Sequence, residues 1–83
     1  MSEPERELTY GEKAVGLTFN PSEGSEIGDH VASIKSLAAQ FIDTCHNLRE
    51  RSDNPEVKRM YSVAITEAQT AQMWAVKAVT WAH

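Results

Sequence analysis

The residues with the most chemical capacity in this 83-residue chain do not gather into a reaction site. His30, His46 and His83 have no partner at the spacing of metal ligands or of a general base, so they are expected to face solvent or be incidental. Cys45 is the single cysteine, which leaves no internal disulfide. It falls on an apolar stripe, where a free thiol behaves as a small hydrophobe. Glu67 and Gln72 carry no acid–base signature. With no nucleophile–base pair, metal set or phosphate-cradling glycine motif, no catalysis, metal or cofactor is expected. The chemistry left is binding.

The stretch "GEKAVGLTFNPSEG", residues 11–24, holds the best-placed binding groups. Leu17 and Phe19 are apolar anchors able to pin it, and Asn20-Pro21-Ser22 signals a turn followed by a helix start. A segment so pinned presents Lys13, Thr18, Phe19 and Asn20 in a fixed pose beside that helix. Free N–H groups at a helix N-terminus attract anions, which makes phosphate binding near residues 20–26 physically reasonable. Lys35 and Lys77 are further cations. Lys35 sits among apolar neighbours, where a lysine ordinarily snorkels to the surface. Lys77, three residues after Trp74, suits a cation–π or interface contact.

The elements that must position these groups are helices. Val31, Ile34, Ala38, Phe41, Cys45 and Leu48 recur at spacings of three and four, widened by Leu37 and Ile42, and predict an amphipathic helix. Asp29 suits its early turns and Arg49 and Arg51 its end. Ser52-Asp53-Asn54-Pro55-Glu56 is the break: Asn54 or Asp53 caps, Pro55 takes the first helical position and Glu56 adds a first-turn acid. A second helix then runs from about Pro55 nearly to the C-terminus. The fold class is all-α, a helical hairpin preceded by an N-terminal loop arm. Residues 1–9 are expected to be a flexible N-terminus, and residues 10–83 a single domain.

The second helix reads as apolar on more than one side. Ala64, Ala68, Ala71, Ala75, Ala78 and Ala82 form a seam of small residues that lets helices approach closely. Ile65, Met73, Trp74, Val76 and Trp81 lie largely off it. A helix apolar on two faces is buried on two faces, and a hairpin offers one partner. Met73, Trp74 and Trp81 are therefore expected at an interface with other subunits, where Trp and Met are enriched. Folding of the N-terminal arm over this surface is the alternative, and the two can coexist.

Size and charge agree with self-association. A chain this short buries only about 60 % of its unfolded surface, and without staples oligomerisation is the remaining remedy. Twelve acidic against eight basic residues argue against long nucleic acid. They leave room for a small phosphate ligand held by placed cations. No signal peptide, lipidation motif or apolar run near 20 residues occurs, so a soluble intracellular protein with no membrane partner is expected.

Three strings, "GEKAVGLTFNPS", "VASIKSLAAQFID" and "AITEAQTAQMWAVKAVTW", resemble the helical-hairpin domain of phage cyclic-oligonucleotide sponges. These proteins counter the CBASS and Thoeris bacterial defences by sequestering their nucleotide signals. The resemblance spans residues 11–82 and implies a compact homo-hexamer in the host bacterial cytoplasm. It also implies no catalysis, and capture of cyclic di- or trinucleotides in pockets between protomers. Ile34-Lys35 matches an Ile-Lys pair whose lysine meets phosphate. The family's base-stacking tyrosine falls near Phe19-Asn20, which implies stacking by Phe19, with the ring kept and the hydroxyl lost. Lys77 matches a late basic residue of the second helix. The ligand-binding set is then Lys13, Thr18, Phe19, Asn20, Lys35 and Lys77. A small phage accessory protein that binds a host protein through its Trp/Met surface is the competing reading.

Overall fold

The structure is a computed structural model that describes residues 7–19 and 24–81. The described residues form three helices, α1 Tyr10–Ala14, α2 Glu26–Arg51 and α3 Pro55–Trp81, with no strand among them. The long pair, α2 and α3, is the hairpin that the break at residues 52–56 predicts. Ser25 caps α2, its hydroxyl accepting from the Gly28 amide at 3.0 Å. At the turn, Asn54 is the cap rather than Asp53: its Oδ1 accepts from the amides of Glu56 and Val57 at 2.9 and 3.3 Å. The expected helix-start signal at Asn20-Pro21-Ser22 lies outside the described residues.

The N-terminal arm is more ordered than a loop. Tyr10–Ala14 form a helical turn held at both ends by local hydrogen bonds. Thr9 and Glu12 make a capping box: Thr9 Oγ1 accepts from the Glu12 amide at 3.0 Å, and the Thr9 amide donates to Glu12 Oε1 at 2.9 Å. At the other end, Gly16 takes φ +62°. The Gly16 amide donates to the Lys13 carbonyl and the Leu17 amide to the Glu12 carbonyl, the paired bonds of a left-handed helix stop. A five-residue helix is too short to show an apolar period, which is why the stretch reads as loop from periodicity.

Two features lock α1 onto α2. The Gly11 amide donates to Asp43 Oδ1 at 2.7 Å, a carboxylate meeting a free N–H of the first helical turn. Beside it the backbones nearly touch, since a Cβ on Gly11 would fall 2.2 Å from the Ala39 carbonyl oxygen. His46 is not incidental. Its ring stacks on Tyr10 at 4.2 Å and 3°, and its Nδ1 lies 2.9 Å from Arg49 Nη2, while Arg49 Nη1 donates to Ser62 on α3 at 3.1 Å.

The core is small. Val15, Ala39, Ile42, Cys45 and Ile65 are buried together, with Leu17, Ala38, Tyr61, Ala64 and Ala68 packed around them. Cys45 is one of the buried apolar residues, and Val15 takes the anchoring role expected of Phe19, which is 73 % exposed. On α2 the buried face carries Val31, Lys35, Ala39, Ile42 and Cys45, whereas Leu37, Phe41 and Leu48 of the predicted stripe are exposed. On α3, Ile65 and Gln72 are buried, and of the alanine seam only Ala64 and Ala68 meet the core. Ala71 and Ala78 are exposed, and Ala82 lies outside the described residues. The apolar stripes are wider than one face because the arm and the facing helix cover one side of each helix and leave the other open. The whole measures 44 × 39 × 12 Å, about one helix diameter thick. No described helix is long and apolar enough to cross a membrane.

A candidate binding groove beside the N-terminal arm

The arm, α2 and the C-terminal half of α3 meet along a groove of about 400 Å³, lined by Val15, Lys35, Gln72, Met73, Val76, Lys77 and Thr80. It brings Lys35 and Lys77, distant in sequence, to one surface, and no carboxylate is among its lining residues. In a chain of net charge −4, that is a local reversal of sign.

Lys35 does not snorkel. Its residue is 6 % exposed, and its Nζ donates to the Gly16 carbonyl at 3.0 Å and also to the Phe19 carbonyl. An ammonium has three N–H donors, so the turn at 16–19 occupies two and leaves one. Burial holds its pKa below the ordinary lysine range. The same clamp sets Phe19: Lys35 Nζ lies 5.6 Å from the ring centroid, within cation–π range. The Phe19 ring itself stands largely in solvent.

Lys77 stands between the two tryptophans, its Nζ 5.1 Å from the Trp74 ring and 5.6 Å from Trp81. Those three residues and Ala78 line an open hollow of about 450 Å³ next to the groove. Trp74 is 65 % and Trp81 79 % exposed, and Met73 is exposed between the two hollows. The arm therefore does not cover the Trp surface. Among the described residues the arm meets α3 where Gln69 Nε2 donates to the Ala14 carbonyl at 3.3 Å and where Val15 lines the groove.

Of the other residues expected to bind ligand, Lys13 and Thr18 are exposed on the arm, and neither lines the groove. Asn20 lies outside the described residues. Among the described residues, no three His, Cys, Asp or Glu side chains group to hold a metal ion. Reasoning from sequence missed Gln72. It lies one heptad after Ile65 on the buried face, and its residue is 8 % exposed. Its Nε2 reaches the Gln69 carbonyl at a long 3.5 Å, and its Oε1 has no hydrogen-bond partner among the described residues. A polar residue in phase with a core isoleucine was the available signal.

What the groove offers is two lysines, a carboxamide and apolar walls, with the exposed Phe19 ring 5.6 Å from the Lys35 ammonium. This suits an anionic ligand with flat apolar parts. Searches of curated proteins and of solved structures find no match to this chain. The family model described as the hairpin domain of Acb2/Tad1 matches residues 12–80, the span that carries the arm from Glu12 on, α2, α3 up to Thr80 and every lining residue of the groove. The chain belongs to the Acb2/Tad1 hairpin-domain family.

Proposed function

We propose that the protein is a non-catalytic sponge that captures cyclic di- or trinucleotide immune signals in the host bacterial cytoplasm, blunting CBASS or Thoeris defence. Membership of the Acb2/Tad1 family implies a sponge-type role in cyclic nucleotide binding. The observation that carries the reading to this chain is the cationic groove, where Lys35 and Lys77 line one surface without a carboxylate. Phosphates meet the lysines and Phe19 stacks on a base. Assembly completes the pocket. The open face and the exposed Met73, Trp74 and Trp81 meet other copies, as a hexamer by family likeness, and bring further lysines to a ligand of matching symmetry.

The protein purified from cells that make cyclic nucleotides tests this. Passed through gel filtration and then heated, it is expected to release a cyclic nucleotide identifiable by mass. Release of none, with no binding heat from a panel of cyclic di- and trinucleotides, overturns the reading. In that event the Trp/Met surface, exposed to the extent described, favours a module that docks on another protein.

A further inference from the structure

The least satisfied polar group in the described structure is the side-chain oxygen of Gln72. Its residue is more than nine-tenths buried, it lines the groove, and its Oε1 accepts from no described group. A buried acceptor without a donor carries its full desolvation penalty. The other end of the amide makes one long contact, 3.5 Å to the Gln69 carbonyl, so a rotation that brings Oε1 to the groove breaks that single hydrogen bond.

We propose that Gln72 reads the ligand's base, accepting a hydrogen bond from an exocyclic amino group. This rests on the sponge reading above. A carbonyl oxygen only accepts, so ionised phosphate oxygens are excluded as its partner and the ligand must bring a donor, a base N–H or a ribose hydroxyl. Val15, Met73 and Val76 wall the same groove and fit a flat ring better than a hydrated sugar. Lys35 and Lys77, at either side, answer the phosphates that flank such a base. The group discriminates because a base with a carbonyl in place of the amine sets two acceptors against each other and leaves Oε1 unpaired.

Calorimetry on the full chain with the cyclic diguanylate, diadenylate, diinosinate and diuridylate tests it, since the first and third differ only by one amino group per base. The wild-type chain is expected to bind an amine-bearing ring about tenfold or more tighter than the diinosinate, the worth of one well-made hydrogen bond or more. Gln72→Met is expected to bring that ligand down to the diinosinate level, leave the diinosinate unchanged, and raise the melting temperature of the unliganded chain. Three results overturn the assignment while leaving the sponge reading intact. These are equal binding of all four rings, preference for the diuridylate, or discrimination that survives Gln72→Met. Binding of none, and of no cyclic trinucleotide, overturns both.

Discussion

Lys35 joins the two halves of the site. Lys35 lines the groove, and its ammonium holds the carbonyls of Gly16 and Phe19 and lies 5.6 Å from the Phe19 ring, so one residue ties the arm to the groove. Lys35→Met keeps the buried stem and removes the ammonium without setting a carboxylate against the Gly16 and Phe19 carbonyls. It is expected to weaken nucleotide capture in calorimetry by about tenfold or more while far-UV circular dichroism shows α2 folded. Phe19→Ala tests the ring alone. Base–aromatic stacking is worth about 1–3 kcal/mol per base, so affinity should fall roughly ten- to a hundredfold. Unchanged affinity would leave Phe19 without a binding role. That Lys35 and Lys77, which line the groove, deserve notice was legible because family motifs and helical spacing single them out. Gln72 was not, because its burial depends on the arm crossing α3: Ala14 and Gln69, in contact here, are 55 residues apart in the chain.

At the scale of elements, local signals sufficed for the hairpin. Asn54 and Pro55 at the turn, and Arg49 and Arg51 at the end of α2, mark boundaries that hydrogen bonding along one segment determines. Which face of each helix is covered was not legible. That depends on α1, whose docking is settled by the Gly11 approach to Ala39 and by Asp43, contacts that no local pattern encodes. Gly11 therefore carries the element-scale prediction. Any side chain there meets backbone rather than a flexible side chain, so Gly11→Ala should destabilise the protein by about 3 kcal/mol, the upper end of overpacking costs. It should also speed amide exchange across residues 10–17. Urea melts and hydrogen exchange check this; a variant as stable as the wild type would mean that α1 contributes nothing by its close approach.

The described residues form a layer about one helix thick, and such a layer encloses only a small core. Leu37, Phe41 and Met60 stay exposed, as do Trp74 and Trp81, and large apolar side chains left open in this way are material for an interface. A charge placed in an apolar contact is strongly disfavoured, so Trp74→Asp should lower the oligomeric mass seen by light scattering while α2 and α3 keep their helicity. A wild-type chain that scatters as a monomer at micromolar concentration would remove the assembly reading altogether. The placement of Lys77 between the rings has an optical corollary. The chain has two tryptophans, both on this surface and both against one ammonium. Tryptophan emission, excited to the red of Tyr10 and Tyr61, therefore samples a single patch of the protein and nothing of its core. Burial against a second copy should shift the emission to the blue, and a ligand phosphate that draws Lys77 away should change its intensity. The two events are thus separable by dilution and by titration, without a label.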